Sequence, residues 1–396
     1  MRGEQQLKQN ALNMAAVIRQ NRALVLGCIR EASISRADIA KNTHLSKSSV
    51  TTITNEFIAE GLVREIGTTD SQMGRKPILL DIHAAHRFVI GIYLHRALLS
   101  VVLTDLKMQL IGRTQAPTED FPDADAILHW VHDSADALIA ENHLDPATCI
   151  GIGCSCPGPL DYRTGMVLTP PNFPLFHHFP LAERLQEHFH KPVFVENNAV
   201  LLAGTEYRLQ KLHQYKQILF LVIQDGIGSA LLANGQIVRG ASGFAGEIGH
   251  TSIDLYGEPC PCGNRGCLEQ YLTLKALKTR FGFTDYAEIV DDAYAGETNA
   301  AEILEYIAEH LACALINSIH LLDLDAIILY GELNYRPERL LERLREALQK
   351  RSVLFRSHPI ALFPSKITPA TADIASTSRI LDEYFQQKLD DGRSAD

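Results

Sequence analysis

The chain has 396 residues, is 46% apolar and carries a net charge of -10, a size and composition that suit two or three cores rather than one. No apolar run approaches the ~20 residues that cross a bilayer. The first seventeen residues, MRGEQQLKQNALNMAAV, lack the apolar core and cleavage site of a secretion signal, so a cytoplasmic protein with no membrane insertion is expected. The charge is uneven. Residues 1–80 hold 11 Lys and Arg against 7 Asp and Glu, and the remainder 26 against 40. That split suits a small module for a polyanion joined to an acidic body.

Residues 11–30 read as one amphipathic helix whose apolar face is Ala15, Val17, Ile18, Leu24, Leu26 and Ile29. Ser35 is placed to cap a helix running to about Thr43, and Ser46 to cap a second from Lys47 to Glu60. Ile39, Ala40, Leu45, Val50 and Ile53 have the spacing that packs two helices across a tight turn, the helix-turn-helix pattern. His44 stands where that turn usually has glycine, and histidine tolerates positive φ better than most residues. Ser46, Lys47, Ser48, Ser49, Thr51, Thr52 and Asn55 give the second helix a short polar face that can reach base edges and phosphates. Past Val63, GTTDSQMGRKPILL reads as a hairpin wing, with Arg75 and Lys76 set to meet phosphate or the minor groove. The implied partner is an operator in double-stranded DNA. A helix pair used for dimerisation alone is the other reading.

From Phe88 the pattern changes to short strands and helices. FVIGIYLHRALLSVVLTDLKMQLIGR reads as three strands joined by tight turns, and ILFLVIQDGIGSALLANGQIVRG, from Ile218, repeats the plan. The apolar helix from Ala300 to Leu324 suits a core or a subunit interface, with His310 and His320 as structural histidines. Cys28, Cys149, Cys154, Cys156 and Cys313 sit mostly in apolar segments, as buried reduced thiols do.

The remaining cysteines lie in GEIGHTSIDLYGEPCPCGNRGCLEQ, Gly246 to Gln270. His250, Cys260, Cys262 and Cys267 form a four-ligand N/S set that suits a closed tetrahedral Zn2+ site. Glu247 and Glu269 bracket the ligands, so the loop is expected to place polar groups at a pocket as well.

GEIGH followed by CPCGNRGCLE resembles the signature of the ROK family of repressors and sugar kinases, GExGH then CxCGxxGCxE, with no departure. The resemblance implies an α/β, hexokinase/actin-like two-lobed body behind an N-terminal winged helix-turn-helix domain. The domains are then 1–82 for the DNA-binding head, 83–200 for the first lobe and 201–390 for the second lobe with the zinc loop and oligomerisation helices. It also implies a homodimer or homotetramer, and a sugar or sugar phosphate effector held between the lobes by Asn172, Asn197, Asn198, Glu247, His250 and Glu269. In CSCPGPLDYRTGMVLTPPNFP, Asp161 and Gly165 fit the family loop but read more simply as a hairpin turn. Arg239 or Arg265 could meet an effector phosphate.

Two motifs of the family's kinases are missing. Their phosphate-cradling DxGGT is replaced by Tyr93, Leu94, His95, Arg96 and Ala97, too bulky to admit phosphates closely. Their Glu-Asn-Asp-Ala becomes Glu196, Asn197, Asn198 and Ala199, and an amide cannot act as the general base. A carbohydrate-operon repressor with no catalytic residues is therefore expected. The alternatives are control by a protein partner such as a sugar transporter, and a sugar kinase with an added DNA module.

Overall fold

The computed structural model describes residues 2–68, 77–170, 173–283, 285–358, 360–368 and 371–390; Arg75, Lys76 and Asn172 fall outside them. The head comprises α1 (Arg2–Glu31), β1 (Ile34–Ser35), α2 (Arg36–Thr43), α3 (Lys47–Ala59), β2 (Val63–Thr68) and β3 (Ile78–Ile82). Ser35 Oγ accepts from the Asp38 amide at 3.2 Å, and Ser46 Oγ from the Ser49 amide at 3.1 Å. Each cap satisfies an N–H that the first helical turn leaves without a partner. His44 closes α2 in the left-handed region at φ 57°. β3 pairs antiparallel with both β1 and β2, so the strands flanking residues 69–76 form a hairpin.

The buried face of α1 corrects the sequence reading. Leu26 and Ile29 are buried, but Val17, Ile18 and Leu24 are 54%, 48% and 43% exposed. The buried stripe is Arg22, Val25, Leu26 and Ile29, a helical i, i+3, i+4, i+7 row. Arg22 joins it because both terminal nitrogens of its guanidinium have partners: Glu56, Glu60 Oε1 at 3.0 Å and the Lys388 carbonyl at 2.8 Å. Its Cζ also lies 4.5 Å from the Phe57 ring centre. A charge with such partners can enter a core, and a count of apolar periodicity misses it.

Two lobes of one plan follow. The first holds the meander β4 (Phe88–Leu94), β5 (Leu98–Asp105) and β6 (Leu110–Pro117), then α4 (Ala124–Glu141) and β7 (Cys149–Cys156). Next come a small hairpin of β8 (Leu160–Asp161) and β9 (Met166–Val167), α5 (Leu181–Phe189) and β10 (Val193–Asn197). The main sheet runs β10-β7-β4-β5-β6. All seven residues of β4 are buried, as befits an apolar strand covered on both faces. α6 (Asn198–Leu209) leads to the second lobe.

That lobe opens with β11 (Gln217–Ile223), β12 (Ile227–Ala233) and β13 (Gln236–Val238). Helices α7 (Glu269–Leu272), α8 (Leu274–Phe281), α9 (Tyr286–Ala295) and α10 (Thr298–Leu322) come next. β14 (Ala326–Gly331), α11 (Glu338–Arg351), α12 (Val353–Ser357) and β15 (Ala361–Pro364) complete it. Its sheet order, β13-β12-β11-β14-β15, repeats the first: an antiparallel meander whose first strand then pairs in parallel with a later one. On α10, His310 Nδ1 lies 2.8 Å from the Tyr306 carbonyl, and His320 Nε2 lies 3.1 Å from Ser352 Oγ.

The last helix, α13 (Ser378–Asp390), returns to the first lobe and packs on β7 and β10 and along α1. Its Ile380, Leu381, Phe385 and Leu389 share one core with Val25, Leu26 and Ile29 of α1 and with Ile39, Val50 and Phe57 of the helix pair. The head is thus cemented to the body by an apolar α1–α13 seam. Among the described residues, no helix is long and apolar enough to cross a membrane.

Candidate functional site

A cleft of about 670 Å³ opens between the lobes, lined by Asn197 and Asn198 from one side and Glu247, His250 and Glu269 from the other. The strand-to-helix junction at the end of β10 sets the first pair. Asn197 Oδ1 accepts from the Ala199 amide at 2.8 Å and caps α6, so that acceptor already serves the helix. Asn198 Oδ1 accepts from Ser155 Oγ at 2.6 Å, while its Nδ2 donates to the Leu94 carbonyl at 3.5 Å. Both ends of an amide are used here, which a carboxylate could not reproduce.

Glycines bring the facing loop in. A Cβ at Gly246 (φ +105°) would stand 2.2 Å from the Ser229 carbonyl oxygen, and one at Gly249 2.2 Å from that of Ile227. Only glycine lets the GEIGH turn lie against β12 this closely. Glu269 Oε2 accepts from the Ile227 amide at 3.1 Å, which ties the far end of the loop to the same strand. Glu247 opens to the cleft. Partial desolvation by the surrounding walls raises its carboxyl pKa, with His250 opposing and Glu269 adding to the rise.

Beyond these groups the β4–β5 turn fills the place where kinases of the resembled family carry their small-residue motif. Tyr93 and His95 stack there with ring centres 5.7 Å apart. Burial lowers the His95 pKa, Asp225 works against that, and Arg96 adds to it. Arg96 reaches over the cleft: a side chain at Gly226 would stand 3.2 Å from its Nη1 and 3.3 Å from Glu269 Oε2. Sequence reasoning passed over Arg96 as a cleft residue, because only its position in the turn marks it. The arginines set against an effector phosphate are elsewhere engaged. Arg239 pairs with Glu196 at 3.0 Å, and Arg265 Nη1 donates to the Gly257 carbonyl at 2.8 Å.

The four ligand atoms of His250, Cys260, Cys262 and Cys267 all lie within 4.8 Å of one another. Cys262 and Cys267 sulfurs are 3.8 Å apart, and His250 Nδ1 is 3.7 Å from the Cys260 sulfur. A zinc tetrahedron with S ligands at ~2.3 Å and N at ~2.0 Å has S–S and S–N edges of roughly 3.8 and 3.6 Å. The donor set therefore fits a closed tetrahedral metal site, with Nδ1 of His250 on the sulfur side.

On the head, Ser46, Lys47, Ser48, Thr51, Thr52 and Asn55 are exposed on one side of α3, and Ser49 is half-buried. The Ser46 and Ser49 hydroxyls are 2.8 Å apart within the cap, and Thr51 Oγ1 donates back to the Lys47 carbonyl at 2.8 Å. Asn55 Oδ1 accepts from Arg36 Nη2 at 3.1 Å, so this amide also staples α3 to α2. Arg36 in turn holds Glu65 of β2 at 2.8 Å.

Two actin-like lobes with a Cys/His loop at the cleft define a class that contains both regulators and sugar kinases, and the helix-turn-helix head belongs to the regulators. The pattern described as the ROK family matches residues 89–374, and the chain belongs to that family. It is 30% identical over 364 residues to the xylose repressor of Bacillus spizizenii, covering 90% of this chain and 93% of that one. It is 26% identical over 356 residues to the N-acetylglucosamine repressor of Escherichia coli O6:H1, covering 86% and 87%. A solved ROK family transcriptional regulator, described as a homolog of the E. coli MLC protein, has the same fold with a TM-score of 0.78. It is 23% identical and covers 95% of this chain and 100% of that one.

Proposed function

We propose that this protein is a cytoplasmic transcriptional repressor of a carbohydrate uptake or catabolic operon, released from its operator by a sugar bound between the lobes. The observation that carries this reading is one cleft that keeps the hydroxyl-binding groups while its base position is an amide, in a chain that also bears a capped helix-turn-helix. Asn197, Asn198, Glu247, His250 and Glu269 supply the mixed donors and acceptors that sugar hydroxyls need. Asn198 has no accessible pKa for a base, and the Tyr93–His95–Arg96 turn leaves no cradle for nucleotide phosphates, so the role is binding without turnover. Asn172 belongs to the same site by resemblance.

The cleft lining holds Asp225, Glu247 and Glu269 against Arg96. This balance of three carboxylates against one guanidinium favours an uncharged sugar over its phosphate. His250, Cys260, Cys262 and Cys267 would hold Zn2+. That ion would cross-link the loop and fix the tautomer of His250, leaving Nε2 for the ligand. α3 would enter the major groove with Lys47, Ser48, Thr51 and Thr52 foremost, and Arg75 and Lys76 would serve on the wing. A homodimer or homotetramer would match a palindromic operator.

The test is footprinting on DNA from the gene's own neighbourhood, at physiological salt with competitor DNA, across a panel of sugars and sugar phosphates. A protected palindrome released by one compound is the expected result. Protection that no sugar alters would point to a protein partner instead, and no specific protection would overturn the reading.

A further inference from the structure

We infer that α13 carries the state of the cleft to the DNA-binding head, through ion-pair nodes at Arg379 and Asp382 that lie one helical turn apart. The inference rests on the sugar-responsive reading above. Its first node joins Arg379 to Glu196, the residue just before the paired asparagines, with a side chain only 5% exposed; that carboxylate is the centre of the node. Its Oε2 accepts from Arg239 of the second lobe at 3.0 and 3.2 Å and from Arg379 of α13 at 3.2 Å. One carboxylate oxygen thus joins the first lobe, the second lobe and the C-terminal helix beside the sugar groups. Arg379 is held further by the Val195 carbonyl at 3.2 Å.

The second node is Asp382, on the same face of α13 because residues three apart are neighbours on a helix. Its Oδ1 accepts from Arg30 Nη2 at 3.1 Å, and its Oδ2 from Arg208 Nη1 at 2.9 Å. Arg30 lies in the last turn of α1, with its Cζ 4.2 Å from the Phe385 ring centre. Arg208 lies in the last turn of α6, the helix that begins with Asn198 in the cleft. Ten residues of α helix make a stiff rod of ~15 Å between them. A second link sits alongside: His213 Nε2, just past α6, is 3.7 Å from Glu31 Oε1 at the end of α1.

Closure of the lobes around a sugar moves Arg239 relative to Glu196, and the two arginines on that one oxygen cannot both keep their geometry. Arg379 follows, and α13 shifts with it. The seam of Leu26 and Ile29 against Leu381 and Phe385 then passes the shift to α1 as one packed body. Arg208 imposes the same displacement from the far end of α6. Asp382 is therefore a positioning residue for the response, with no contact to sugar or DNA.

The test uses full-length Asp382→Asn, Arg239→Gln and, as a control on the same seam, Arg19→Gln. Arg19 Nε pairs with Asp390 at 2.9 Å away from both nodes. Calorimetry with D-xylose and with N-acetylglucosamine reads the cleft, and anisotropy on a promoter fragment with and without saturating sugar reads the coupling. For D382N the expected result is sugar affinity within about twofold of wild type and a sugar-induced loss of DNA affinity cut at least about fivefold. R239Q should cut the response from the other end of the relay, which keeps the test alive if D382N folds poorly. R19Q should respond as wild type.

A D382N protein with an undiminished response overturns the inference, as does an R19Q protein uncoupled to the same degree, since the seam would then act as a general rivet. A wild-type protein that binds DNA but no sugar would instead overturn the functional reading on which the inference rests.

Discussion

Replacing Cys267 with serine removes one ligand from a closed set and so tests whether the Cys/His loop builds the sugar site. Cys267 is fully buried, its sulfur 3.8 Å from that of Cys262 and 3.4 Å from the His250 carbonyl oxygen. Serine has a shorter reach and its hydroxyl binds zinc poorly, so a bound metal would be lost and the cross-link it would make between residues 250 and 267 would open. Two cleft features depend on that cross-link: the orientation of His250, and the Glu269 carboxylate held by the Ile227 amide at 3.1 Å. If each supports a ligand hydrogen bond worth ~1–1.5 kcal/mol, the variant loses ~2–3 kcal/mol of sugar binding. That corresponds to roughly 30- to 150-fold in Kd. The assay pairs metal content by atomic emission with titration calorimetry, and a thermal melt confirms folding. A folded, metal-free C267S protein that binds sugar within about twofold of wild type would refute the reasoning.

Three further outcomes are expected. Asn198→Asp restores a carboxylate at the base position but not the cradle, so mass spectrometry of sugar incubated with ATP should find no phosphorylated product; loss of the donor to the Leu94 carbonyl should also cost about 1–3 kcal/mol of stability. Ser46→Ala removes the cap of α3 and should lower head stability by about 1 kcal/mol and weaken operator binding, read by thermal melts and anisotropy; an unchanged melt would argue against the cap. His132 stacks on His188 with ring centres 3.7 Å apart, and burial, then His188 and His129, push its pKa down to about 4.

The sign for His132 follows from its unfolded pKa of ~6.5, so the unfolded chain binds the extra proton first. Its contribution is whole above pH ~6.5 and is lost as pH falls toward ~4, about 1–2 kcal/mol after allowance for solvent screening. Denaturant melts across that window should show the decline, and His132→Phe should flatten it. An equal slope in the variant would assign the decline to other groups.

What the sequence made legible was local chemistry. Ser35, His44 and Ser46 mark the helix ends because caps and left-handed turns depend on a few adjacent residues. His250, Cys260, Cys262 and Cys267 are readable because metal ligation tolerates few residue types at few spacings. The two lobes show as repeated apolar meanders. The rest was hidden where distant segments meet. Arg22 entered the core of the head on the strength of partners that no periodicity reveals. The return of α13 to the first lobe leaves no local pattern: Arg379 and Glu196 pair across 183 residues of sequence. Arg96 reads as a bulky residue in a degraded motif until the fold sets its guanidinium beside Gly226 in the cleft lining.

The central claim, that a sugar in the cleft and an operator on α3 oppose each other through the body, is tested most directly by measuring both affinities in one protein. Calorimetry would give the Kd of D-xylose and N-acetylglucosamine for the free protein and for the protein saturated with promoter DNA. Anisotropy would give the DNA affinity with and without the sugar. The account predicts that DNA weakens sugar binding by the same factor by which sugar weakens DNA binding, as linkage demands. A sugar affinity unmoved by bound DNA, in a protein that binds both, would contradict it.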